Sequence, residues 1–257
     1  VGVGYSAGSA VTTGLYNVLI GSLAGDALST GTRNVAVGME ALSTEDAHGY
    51  NTAIGHGTLK TLNAGANAYN TAVGFEAGTA VTTGIHNTLI GANAGDALID
   101  ADTNTVIGSS ALTADTYGSS STAIGHSALE AQNFTTATTS YNVAVGKNCG
   151  AAITTGTQCT LVGYSAGVAL IDADYNVAMG TNALANDTYG SKSTAIGTQA
   201  LNTQDFTTAT ESFNTAVGYQ AGLNVTTGVQ NTLIGALAGD AITDADDNLA
   251  VGYAALG

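Results

Sequence analysis

The residues best placed for chemistry are three copies of one acidic tripeptide: Asp100-Ala-Asp102, Asp172-Ala-Asp174 and Asp244-Ala-Asp246. Each is followed two residues later by Asn104, Asn176 or Asn248. Asp-x-Asp-x-Asn is the opening of a calcium loop, in which hard oxygen donors surround the cation. Here, however, neither the loop glycine nor the closing Glu follows. The equivalent earlier stretch, Ser29-Thr30-Gly31-Thr32-Arg33-Asn34, lacks these carboxylates and carries a cation. A solvated acidic turn is therefore the favoured reading, with Ca2+ the alternative and no other cofactor expected.

Aromatic residues form the second candidate group. They concentrate in three long connections, at 59–69, 129–141 and 201–213. Extra residues in one fixed unit are expected to project on one flank, where loops carry binding. Tyr69, Phe134, Tyr141, Phe206 and Phe213 would there offer ring faces to a sugar receptor; plain cover for an overlong turn is the competing and favoured reading. His56 and His126 occupy matching positions, and in a trimer each would form a ring of three, although Thr198 fills the third equivalent. Cys149 stands for a repeated Ala and Cys159 for a repeated Asn, so both read as small core residues, with a disulfide left open. The sequons at Asn133, Asn186 and Asn224 carry little weight without a known host. No nucleophile–base arrangement, P-loop or metalloprotease spacing occurs, and a non-enzyme is expected.

These candidates sit on a repeat that runs through all 257 residues. Its marker is Asn-Thr-Ala-Val-Gly or a close relative, with the glycine at Gly4, Gly21, Gly38, Gly55, Gly74 and onward to Gly252. Most spacings are 17, and every fourth is longer, at 19 or 21. One repeat solenoid is therefore expected over 1–257, in blocks of about 1–66, 67–138, 139–210 and 211–257. Composition agrees: 35 Gly, no Pro, no Trp and only 9% charged residues. Four Lys+Arg against 19 Asp+Glu give a net charge of −15, which excludes phosphate neutralisation and docking on an anionic bilayer. No apolar run is long enough for a spanning helix, so neither nucleic acid nor membrane insertion is expected.

Alternation, β-branched residues and a glycine stop predict a short strand in each unit. Two or more glycines per unit argue against helix. Three residues past the marker glycine stands Ala, then Gly in the first two units of a block and Leu in the last two, which predicts a second strand or a corner. Such coils stack into a parallel β-solenoid of about fifteen turns, a rod roughly 70 Å long at strand spacing. Both strand faces are apolar or small. Thr/Val and Ile/Val point one way and Ala or Leu the other, and the alanine face is expected to meet sibling chains. The repeated Asn is expected to form a stacked amide ladder.

Ser-Thr-Ala-Ile-Gly at 121–125 and 193–197, with Asn-Val-Ala-Val-Gly at 34–38, resembles the repeat of trimeric autotransporter adhesin heads. The Tyr-Asn-Thr-Ala-Val-Gly style followed by Thr-Thr-Gly is equally similar to phage tail-fibre repeats. The resemblance covers essentially the whole chain, although the unit is longer than in adhesin heads and Asn usually stands where they have Ser. It implies a parallel homotrimer around a common axis and a non-enzymatic structural or adhesive segment of an extracellular fibre. Such a fibre would sit on a virion or a cell surface, with a surface receptor or glycan as partner, and the phage type is slightly favoured. Both ends interrupt a unit, so further chain is expected on each side. An ice- or ligand-binding solenoid and a polysaccharide-degrading tailspike are the alternatives.

Overall fold

A computed structural model describes residues Val1–Gly257 and contains strands and turns but no helix. The architecture is a parallel β-solenoid of about fifteen turns, each contributing one strand of two or three residues roughly 17 residues after the last. No helix is long and apolar enough to cross a membrane. The chain divides into two compact units, Val1–Ala123 with Asn133–Thr139, and Ile124–Gln132 with Ser140–Gly257.

In the first unit the strands from Gly2–Val3 to Thr105–Ile107 pair in chain order, all parallel. In the second, Val143–Val145 to Leu249–Val251 do the same. Register never slips: Thr52 faces Thr71 and Thr194 faces Thr215, so the longer spacings are absorbed outside the ladder. Each strand stops at its glycine for a steric reason. Gly91 has φ 137°, and a Cβ there would stand 2.5 Å from the carbonyl oxygen of Gly108 in the next turn. Only glycine allows so close a backbone approach.

The structure reverses the expected roles of the two strand faces. The alanine and leucine row, including Ala36, Ala53, Ala72 and Leu89, is fully buried in the chain's own interior. The segment after each glycine turns back over it and supplies the opposite wall: Ala24 and Leu28, Ala77 and Val81, Ala94 and Leu98. That segment is the expected corner rather than a second strand. A 17-residue turn therefore does close its own core, and the open face is the β-branched one. Ile54 is 38% exposed and Met179 41%.

Core volume explains the four-turn block. Where the inward strand residue is Leu (Leu19, Leu89, Leu161, Leu233), the facing corner residue six positions on is Gly. Where the strand residue is Ala, the corner holds Leu late in the block, as in Ala36 with Leu42 and Ala178 with Leu184. In the block's first turn it holds Gly, as in Ala72 with Gly78, whose space Leu89 and Leu59 of the neighbouring turns fill. A Cβ on Gly95 would meet Leu98 Cδ1 at 2.8 Å and Leu89 Cδ2 at 3.0 Å. Leu42 and Leu184 fill the same corner at φ 53° and 51°, accepting a left-handed backbone in order to bury their side chains completely. Such a backbone costs about 1–2 kcal/mol in a non-glycine residue, less than full burial of a leucine returns.

The repeated Asn is satisfied differently from a ladder of amides. Asn87 Nδ2 donates to the Ala101 carbonyl and Asn87 Oδ1 accepts from the backbone N–H of Asn104. Asn70, Asn17 and Asn214 repeat the pattern. These amides are thus spent mainly on backbone groups of the following turn. Ser121 and Ser193 receive the preceding Asn in the same way, and Ser193 Oγ bonds Ser212 and Gln204 of the long connection instead.

Candidate functional site

The acidic tripeptides act as ties between successive turns. Asp102 Oδ1 accepts the Ile85 N–H at 2.8 Å, Asp174 Oδ1 the Thr157 N–H at 2.7 Å, and Asp246 Oδ1 the Val229 N–H at 2.8 Å. The first carboxylates bond hydroxyls: Asp100 takes Thr83, Asp172 takes Thr155, and Asp244 takes Thr243. No third acidic or imidazole ligand joins any pair. The one group with ligand atoms mutually within 4.8 Å is Glu45, Asp46 and His48. Glu45 is buried there, and its Oε1 is already the acceptor for the Ala47 and His48 N–H groups and faces His48 Nδ1 at 3.3 Å. That arrangement is a turn cap.

The aromatic candidates separate into two kinds. Phe134 and Phe206 are each only 6% exposed, which removes them from any receptor surface. Two carboxylates absent from the sequence-level candidates cause this. Asp187 Oδ1 accepts both the Gly190 and the Phe206 N–H, and Asp115 does the same for Gly118 and Phe134. The long connections are thereby pulled inward, and they add short parallel ladders, Gly118–Ser119 with Thr138–Thr139 and Gly190–Ser191 with Thr210–Glu211. Gln204 completes the second copy by donating to Asp187 and accepting from Asn214 Nδ2 at 2.8 Å. Burial pushes the Asp187 carboxyl above the usual carboxylate range, only partly offset by these donors. The repeated string Asp-Thr-Tyr-Gly-Ser at 115–119 and 187–191 was the available signal.

Tyr69, Tyr141 and Phe213 remain exposed. Tyr69 nevertheless has both ring faces covered, stacking on Tyr50 at 4.8 Å and on His86 at 5.2 Å between centroids. Arg33 extends this column, lying over Tyr16 and Tyr50 and donating to the Tyr50 hydroxyl at 2.9 Å. A sugar therefore meets edges and hydroxyls along the column, since ring faces are consumed internally. Tyr141 is 60% exposed, and Phe213 has Lys192 Nζ 5.2 Å from its centroid. His56 stacks on Phe75 at 5.2 Å, with Glu76 Oε1 3.9 Å from its Nδ1.

The cysteines are free and buried, and burial pushes both thiols up to about 12. Cys159 Sγ donates to the Ala173 carbonyl at 3.2 Å, taking over the bond that Asn makes elsewhere.

Two surfaces offer themselves for recognition. The first is the outward strand face, whose Thr/Val and Ile/Val ranks carry no charge although the chain holds 19 Asp+Glu. The second is a groove of about 470 Å³ in the second unit, lined by Asp172, Asp174, Tyr175, Ser191, Lys192 and Glu211 with Thr210. Lys192 Nζ pairs with Glu211 Oε1, and Ser191 Oγ accepts the Asp174 N–H at 3.0 Å. Neither a protein-family model, nor a curated protein, nor a solved structure matches the chain.

Proposed function

We propose that this chain is a non-enzymatic structural and adhesive segment of a trimeric extracellular fibre, of the phage tail-fibre or surface-adhesin type. One observation carries the reading. In both units the outward strand face is a regular, half-exposed array of Val, Ile and Thr, joined in the second by Met179 and Leu249, from which every carboxylate is absent. Chains of net charge −15 repel each other, and depletion of charge from one face is what lets like copies meet there. Three parallel copies around an axis would cover these ranks, and stacked turns would supply stiffness. Attachment to a receptor or glycan falls to the flanks, where the long connections lie. No nucleic acid or bilayer partner is proposed.

Light scattering on the purified chain tests this reading. A mass three times the 25.2 kDa chain is expected, and a folded monomer at micromolar concentration overturns it. Glutamate at Ile54 and Ile107, both exposed, is expected to dissociate the trimer while leaving the fold intact.

A second reading has its own observation. Thr52, Thr71, Thr88 and Thr105 stand in register on successive turns, each beside an outward Ile or Val. That is the regular hydroxyl array an ice-binding face needs. Thermal hysteresis of the purified chain would favour it over the fibre.

A further inference from the structure

The groove in the third block has a built-in control. The second block repeats its scaffold residue for residue: Asp100, Asp102, Ser119 and Thr138 correspond to Asp172, Asp174, Ser191 and Thr210. The backbone pairing is also the same, Gly118–Ser119 with Thr138–Thr139 against Gly190–Ser191 with Thr210–Glu211. Three lining positions differ. Thr103, Ser120 and Thr139 of the second block become Tyr175, Lys192 and Glu211 in the third. Small hydroxyls are thus replaced by a ring, an ammonium and a carboxylate, all on one groove, while the scaffold carboxylates are unchanged.

The lining defines the ligand chemistry. Asp172 and Asp174 each commit one oxygen, Oδ1, to the preceding turn and retain the other as an acceptor. Glu211 commits Oε1 to Lys192 and likewise retains Oε2. Planar carboxylates with an oxygen to spare accept from hydroxyl and ammonium groups. Three carboxylates against one ammonium leave a net charge of −2, which repels acidic ligands and attracts a cation. Tyr175 adds one apolar wall, and about 470 Å³ suits one or two sugar rings.

We infer that this groove is a binding site for an amine-bearing saccharide, a hexosamine unit carrying a free ammonium among its hydroxyls. Asp172, Asp174 and Glu211 accept from the ligand, Lys192 fixes Glu211, and Tyr175 bounds the ring. As an attachment site it rests on the fibre reading above, but the binding itself needs only the groove. The two therefore fail separately: a monomeric chain that binds the sugar sinks the fibre alone, and a trimer that ignores it sinks the groove alone.

Isothermal titration calorimetry of the full chain with a β-linked glucosamine disaccharide tests the inference, beside its N-acetylated form and a plain glucose disaccharide. One site per chain is expected for the amine form, with N-acetylation weakening binding about tenfold, the scale of one charge-assisted hydrogen bond. The variant Tyr175→Thr/Lys192→Ser/Glu211→Thr gives the third block the composition with which the second already folds, and it is expected to lose the site. The reverse variant Thr103→Tyr/Ser120→Lys/Thr139→Glu is expected to bind two disaccharides per chain. No heat with the amine form, equal binding of the acetylated form, unchanged affinity in the first variant, or a folded reverse variant with one site would each overturn the assignment.

Discussion

Asn87 Oδ1 accepts the backbone N–H of Asn104, 17 residues on, at 2.9 Å, while the N–H of Asn87 itself donates to Asn70 Oδ1 at 2.8 Å. One residue type therefore links three consecutive turns through the buried edge of the strand. The strands themselves are too short to hold a register by pairing alone, and these side chains pin each turn to the next. Substitution by alanine leaves the Asn104 N–H and the Ala101 carbonyl buried without a partner. Asn87→Ala is expected to lower the unfolding free energy by about 2–6 kcal/mol, the sum of two such groups. Asn87→Ser is expected to recover little of this, because Ser193 relies on Ser212 and Gln204 of a long connection that the Asn87 turn lacks. Urea denaturation of the three proteins checks both expectations.

The interlock of Leu89 with Gly95 makes a second prediction. Leu89 is fully buried, so Leu89→Ala should cost about 2–5 kcal/mol through lost contacts and the cavity left behind. Gly95→Leu alone should also destabilise, because its Cβ would meet Leu89 and Leu98. Together the two changes exchange volume as in the Ala36 and Leu42 turn but leave Leu98 where that turn has Glu45, so the rescue is expected to be partial. The double variant is expected to be more stable than the sum of the single losses by more than 1 kcal/mol, the range seen for residues in contact. Additive losses in a double-mutant cycle would contradict the volume exchange.

How much of this was legible in the sequence follows from the same residues. The turn length, the parallel stacking and the place of the fifteen main strands are legible because the marker glycine recurs in each unit. The short ladders of Gly118–Ser119 with Thr138–Thr139 and Gly190–Ser191 with Thr210–Glu211 are not. Which strand face points inward is not: Ala36 and Val37 are both apolar, and alternation alone does not say which lies inside. The decision comes from the Ala and Leu corner that folds back over the alanine row. Phe206 is misread for a related reason. A long connection rich in Thr reads as a projecting loop, and its inward pull comes from Asp187, which lies 19 residues away in sequence. The acidic tripeptides resemble ligand loops because accepting an N–H from another turn and coordinating a cation call on the same oxygens.

Asp187 should leave a mark on the pH dependence of stability. Its folded carboxyl holds its proton more tightly than in the unfolded chain, chiefly through burial. Between the unfolded value, near the ordinary carboxylate range, and the raised folded value, the folded state binds more protons. In that window stability falls as pH rises. Asp187→Asn keeps an oxygen for the Gly190 and Phe206 N–H groups and removes the titration. The stability difference between variant and parent is therefore expected to shift in the variant's favour from pH 4 upward, then level off above the folded value. Guanidinium denaturation of both proteins across that range isolates the term, since all other titrating groups are shared.

Phe206 lies in the middle of one long connection and Tyr141 at the end of another, and they should respond oppositely to truncation. Phe206 is buried with its own N–H held by Asp187, and its loss opens a cavity behind the groove-forming ladder. Phe206→Ala is expected to cost about 3–5 kcal/mol. Tyr141 is mostly exposed, so Tyr141→Ala should stay within about 0.5 kcal/mol of the parent, as surface changes usually do. Thermal denaturation reads both. A costly Tyr141→Ala with a silent Phe206→Ala would restore the projecting-loop reading and with it Phe206 as a receptor contact. The expected pattern instead makes the buried ring part of the frame that holds Thr210 and Glu211 against Ser191.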